Sequence, residues 1–130
     1  MINAVIDTNV FVSGLLSAHG NSAKIVNALK EKQFNIFYNS EILAEYRDVL
    51  NRERFGFESK DVDDLLDLIS LNGVSVTAKT SNIILSDEDD RCFYDAANDT
   101  GAYLVTGNIK HYPSDSAILT PAEFVKLLDA

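Results

Sequence analysis

The chain has 130 residues, 46% of them hydrophobic, with 20 acidic against 11 basic side chains and a formal charge of −9. That length fits one domain over 1–130, and the apolar content suffices for a core, so neither disorder nor a disulfide scaffold is expected. The charge excludes a broad polyanion-binding surface, suits a basic partner, and leaves room for a nuclease, whose metal-binding acids lower the charge by themselves.

Ile2, Ala4, Val5 and Ile6 form a short apolar run that ends at Asp7. A strand buried on both faces of a parallel sheet reads this way. Val10, Phe11, Leu15 and Leu16 then make one helical face, and Gly20 breaks the chain before a helix capped by Asn21 or Ser22 and running to about Lys32. Phe34 to Tyr38 is a second strand, rich in aromatic and branched residues. Ser40 caps a helix to about Asn51 with Ile42, Leu43, Tyr46, Val49 and Leu50 as its stripe. Arg52 to Lys60 is a loop with cations and two phenylalanines, and Asp61 to Leu71 is a helix closed by Asn72-Gly73. Val74 to Thr77 alternates as a third strand. Ser86 to Asp90 opens a helix that ends near Gly101, and Ala102 to Thr106 is a fourth strand. Ala117 to Leu119 is a fifth, and Thr120-Pro121-Ala122-Glu123 starts a last helix with a capping residue, a proline and an acid. Alternating strands and helices imply a three-layer α/β/α fold with a mostly parallel sheet of four to five strands. One cysteine, Cys92, permits no internal disulfide and fits a cytoplasmic protein. No apolar stretch is long enough to span a membrane, and Met1 runs straight into the first strand, so no leader is expected.

In open α/β sheets, ligands bind beyond the carboxyl ends of the strands. Asp7 stands there. Glu45 lies at the edge of its helix's stripe, about 110° from the centre at ~100° per residue. It is either a boundary glutamate pairing with Arg52 or Lys60, or a carboxylate leaning over the same cleft. In Asp87-Glu88-Asp89-Asp90, acids of a first turn favour the helix macrodipole. Asp90 differs from the others, because it falls among Phe93, Tyr94 and Ala97, where a carboxylate needs a proton, a donor or a metal. Asp89 is the alternative. Asp95, about 140° round the wheel, points away. Thr106-Gly107-Asn108 repeats the position of Asp7-Thr8-Asn9 at another strand end, and Asn9, Thr106 and Asn108 can offer polar support. His19 and His111 read as surface histidines. Carboxylates of Asp7, Glu45 and Asp90 sharing one cleft require a cation, and oxygen ligands select Mg²⁺ or Mn²⁺. Spacing alone stops at metal-dependent phosphoryl chemistry.

The stretches that carry these residues resemble a PIN-domain ribonuclease, in the branch related to VapC toxins. Val5-Ile6-Asp7-Thr8-Asn9-Val10-Phe11, Glu41-Ile42-Leu43-Ala44-Glu45-Tyr46, Asp87 to Phe93 with Ala96-Ala97, and Tyr103 to Asn108 with His111 are similar to the family's four motifs, in order. The resemblance implies a metal-dependent endoribonuclease in which Asp7, Glu45 and Asp90 hold one or two divalent ions, leaving a 5′-phosphate and a 3′-hydroxyl. It also implies a homodimer and a cognate antitoxin that masks the site; a basic antitoxin tail would suit the charge. The family's fourth acid is Asn108 here. Asparagine ligates weakly, so one firm ion and a second arriving with substrate are expected; Asp95 is the remote substitute. Arg52, Arg54 and Lys110, with Phe55 and Phe57, are the candidate RNA contacts, or else a solvated loop with its rings turned inward. The competing function is a PIN-like scaffold that binds RNA or protein without cleaving.

Overall fold

β1 (Asn3–Ile6) occupies the centre of a sheet whose five strands are all parallel. In the computed structural model, which describes residues 1–130, the order is β3-β2-β1-β4-β5, with β2 at Asn35–Tyr38, β3 at Val74–Ser75, β4 at Tyr103–Val105 and β5 at Ile118–Leu119. Ala4, Val5 and Ile6 are wholly buried, as a strand covered on both faces must be. Val5 lies against Leu104 of β4, and Ala4 lies between Tyr103 of β4 and Ile36 of β2.

Six helices flank the sheet and give the expected three-layer arrangement: α1 (Thr8–Leu16), α2 (Asn21–Lys30), α3 (Ser40–Leu50), α4 (Ser59–Asn72), α5 (Arg91–Thr100) and α6 (Pro121–Asp129). α1 packs on α2 and α2 on α6, while α3 packs on α4 and α5. The close approach of α1 to α2 depends on Gly14, where a Cβ would lie 2.7 Å from Val26 Cγ2 and 2.9 Å from the Ser22 carbonyl. The capping box predicted at Thr120 forms in full with Glu123.

Several boundaries differ from the sequence reading. Asn39, one residue before Ser40, caps α3 by accepting from Ile42 N at 2.9 Å. Gly20, not Asn21 or Ser22, is the N-cap of α2, and having no side chain it makes no cap bond. Asp87 caps a short 3₁₀ turn, Glu88–Asp90, and α5 proper begins only at Arg91. The third strand stops at two residues, although Val76 N still donates to the Tyr38 carbonyl at 2.8 Å. Beyond it the chain leaves the sheet and is tied to α5, with Lys79 N donating to Asp99 and Ser81 N to Asp95.

The strand order fixes where a site belongs. From β1 the chain steps one way to β2 and β3, then returns to place β4 and β5 on β1's other side. The order reverses between β1 and β4, and connections diverging from that point open a crevice at the carboxyl ends. Asp7 follows β1 and Thr106 follows β4, so both stand at its mouth.

Candidate active site

A cleft of about 270 Å³ opens at this switch point, and Asp7, Asn9, Glu45, Asp90 and Asn108 are among the residues that line it. Phe93 lines it and belongs to a chain of buried rings that reaches away from the cleft. Phe11 of α1 meets Tyr46 of α3 edge-on with centroids 5.1 Å apart, and Tyr46 lies 5.8 Å from Phe93 of α5. The Tyr46 hydroxyl, fully buried, donates to the Ile6 carbonyl at 2.6 Å. These contacts lock together the three elements that bear the acids: the start of α1, the middle of α3 and the start of α5.

Asp7 is 4% exposed and caps α1, its Oδ1 accepting weakly from Asn9 N at 3.4 Å. Its Oδ2 accepts two hydroxyl bonds of 2.9 Å each, from Thr106 and from Tyr112. Burial and the adjacent Asp7 charge hold the Tyr112 phenol well above its usual range, so it stays protonated and donates to the carboxylate. Asn9 Nδ2 reaches Thr106 Oγ1 at 3.4 Å, Asn9 Oδ1 accepts from Gly107 N at 3.0 Å, and Asn108 N donates to Thr106 Oγ1 at 3.0 Å. The two strand-end triplets that echo each other in sequence are therefore bonded to each other. Sequence reasoning misses Tyr112; a tyrosine after a loop histidine carries no periodic signal.

Asp90 sits in the 3₁₀ turn with its side chain 13% exposed. Its carboxyl is pushed up to about 6, first by burial and then by the charges of Asp7 and Asp87, against the opposing pull of His111. His111 Nδ1 lies 3.2 Å from Asp90 Oδ2. His111 is a surface residue, as expected, that also meets an acid of the cleft. Its ring is partly exposed, but the 3₁₀ turn Ile109–His111 after β4 aims it back at the acid.

Glu45, in the middle of α3, lines the same cleft. The partners expected for a boundary glutamate are engaged elsewhere: Arg52 pairs with Asp48 at 3.1 Å and Lys60 with Asp64 at 2.8 Å. Burial, then the charges of Asp89 and Asp48, raise the Glu45 carboxyl, with Arg52 opposing. Asp89 is thus its foremost charged neighbour, whereas Asp7 is that of Asp90. The three acids share the cleft but do not close into a cluster, for no three of the chain's His, Cys, Asp and Glu side chains form a group ready to hold one ion. The donor set still fits a hard divalent ion. Mg²⁺ retains several waters and needs only one or two carboxylates, and the cleft has room for waters of about 30 Å³ each. Asp7 and Asp90 are a like-charge pair that no lysine or arginine bridges.

Asp95 does not line this cleft. It is 7% exposed and lines a neighbouring hollow with Glu41, Glu45 and Asp89, its Oδ2 accepting from Ser81 N at 3.2 Å. The wheel turns it away from Asp90, and the segment that leaves β3 covers it there. That segment is held by Arg91, which donates to the Ser81 and Ile83 carbonyls and pairs with Glu88. Among the cations, Arg52 and Arg54 line the cleft and Lys110 stands exposed outside its lining. Phe55 and Phe57 are half-buried and stack on each other at 5.7 Å, with the Arg54 guanidinium 4.9 Å over Phe55.

A family model described as PIN domain matches residues 3–110. An uncharacterized protein of Methanocaldococcus jannaschii, MJ1680, is 30% identical over 111 residues, which cover 82% of this chain and 71% of that protein. No solved structure matches significantly.

Proposed function

This chain belongs to the PIN-domain family, whose members are generally nucleases, and from that premise we propose that it is a Mg²⁺- or Mn²⁺-dependent endoribonuclease. The observation that carries the reading is the unbridged pair of Asp7 and Asp90 at the switch point, where burial and the Asp7 charge displace the titration of Asp90 to about 6. Asp7 and Asp90 would hold the ion, with Glu45 and Asn108 facing it from the other residues of the cleft. A bound divalent ion activates water and offsets the charge that builds on the phosphate. Glu45, whose carboxyl is raised by burial and Asp89, takes a proton at its carboxylate more readily than an ordinary glutamate does. Arg52 and Arg54 at the cleft edge draw in the RNA backbone, and the products are a 5′-phosphate and a 3′-hydroxyl.

In this reading the protein is the VapC-like toxin component of a toxin–antitoxin pair. It works as a homodimer and is silenced by an antitoxin whose basic segment complements the charge of −9. No helix is long and apolar enough to cross a membrane. Purified protein incubated with RNA and Mn²⁺ should cleave internally, and EDTA or Asp7→Asn should reduce the rate by about 100-fold or more, as the loss of several kcal/mol of charge stabilisation implies. Cleavage indifferent to both would end the metal-nuclease reading. RNA binding without turnover at any Mn²⁺ concentration would favour the scaffold instead.

A further inference from the structure

Asp7 is gripped asymmetrically. Both hydroxyl donors, Thr106 and Tyr112, go to Oδ2, while Oδ1 has one long contact to Asn9 N. Tyr112 comes from the far end of the chain, 105 positions away, and is itself 6% exposed. The residue before it, His111, touches Asp90. One dipeptide thus meets both acids of the pair, at Asp7 from within the core and at Asp90 from the solvent side. Nothing else in the fold requires a phenol there, since a phenylalanine ring would fill the same apolar volume without burying a hydroxyl that must find a partner.

We propose that Tyr112 is a positioning residue for the divalent ion, its hydroxyl and that of Thr106 saturating Oδ2 of Asp7 so that Oδ1 alone is presented to the cation. This rests on the reading of Asp7 as a metal ligand. Groups that orient a ligand from behind set metal affinity, and their loss costs about 10- to 100-fold. With one donor gone, the carboxylate turns about its Cβ–Cγ bond and offers either oxygen, and the ion no longer finds a fixed partner.

The test is a Mn²⁺ titration of the whole chain, followed by the electron paramagnetic resonance signal of the free ion, with the melting temperature of metal-free protein measured beside it. Wild type and Asp7→Asn are titrated first; equal binding by the two, or none by either, overturns the metal reading and this inference with it. Given metal binding that Asp7→Asn abolishes, Tyr112→Phe should weaken Mn²⁺ about tenfold. Its turnover should recover at high Mn²⁺, with the KM for RNA unchanged. An affinity within about twofold of wild type, well short of the loss expected of an orienting group, overturns the inference while leaving the metal site standing. So does a lowered melting temperature with unchanged affinity, which would make the hydroxyl a bond of the fold only. Thr106→Val removes the other donor from the same oxygen and repeats the test however Tyr112→Phe folds.

Discussion

Replacing Asp90 by asparagine should stabilise the metal-free protein at neutral pH. The folded chain holds this carboxyl at about 6, above its ordinary 3.8, because burial and the Asp7 charge oppose ionisation. A folded value above the unfolded one means that the unfolded chain gives up its proton first. The stability contribution is therefore complete below pH about 4 and is lost as pH rises through about 6. A displacement of this size amounts to about 3 kcal/mol of disfavoured ionisation. Water in the open cleft screens the charges, which leaves about 1–1.5 kcal/mol. The gain comes from no new contact; Asp90→Asn removes the charge and keeps the shape. At roughly 3–5 °C per kcal/mol for a chain of this length, the melting temperature of Asp90→Asn with EDTA should exceed wild type by about 3–7 °C at neutral pH. The two should converge near pH 4, where both side chains are neutral. Added Mn²⁺ should reverse the order, since only wild type gains binding energy. A metal-free Asp90→Asn that melts below wild type at neutral pH would refute the reasoning, because it would show that the His111 contact outweighs the repulsion from Asp7.

Two further outcomes follow from the site. Asn108→Asp restores an acid at the mouth of β4, where the backbone N–H is already held by Thr106; it should tighten Mn²⁺ binding and lower the Mn²⁺ concentration for half-maximal cleavage severalfold, and an unchanged metal dependence would place Asn108 outside the metal's reach. Arg52→Ala with Arg54→Ala should raise KM for RNA, leave kcat nearly unchanged, and flatten the slope of log affinity against log salt by about 1.4 for a single strand. An unaltered slope would show that RNA enters by another edge.

The sheet and most of the acids are legible because each depends on local pattern. A fully buried strand leaves an apolar run, and its end is where the run stops, so Asp7 and Thr106 can be placed without knowing the partner strand. Asp90 is legible through its neighbours Phe93 and Ala97, even though the residue itself sits in a 3₁₀ turn and not on the helix proper. What the pattern does not carry is distance across the chain. Tyr112 and His111 belong to a short turn with no period, and their roles exist only because β4 lies beside β1. The stripe leaves Glu45 between a boundary position and the cleft, which it lines; its foremost charged neighbour, Asp89, depends on how α3 packs against α5. Asp95 shows the limit of a wheel most plainly: it gives a direction, and whether that direction is solvent depends on a segment that leaves β3 and lies across α5.

The three packed rings that begin at Phe93 in the cleft lining bear on how such a protein changes its chemistry. Phe11, Tyr46 and Phe93 come from three different helices, and Tyr46 touches the other two. Each ring lies four residues or fewer along the chain from an acid of the cleft: Asp7, Glu45 and Asp90. The packing of these rings sets the spacing of the three helices, and through it part of the span between the acids. Ions differ in radius, with oxygen distances of about 2.0–2.1 Å for Mg²⁺ and about 2.3–2.6 Å for Ca²⁺. On the proposed reading, a lineage could drift from one ion to a larger one by resizing a ring, with every carboxylate left as it is.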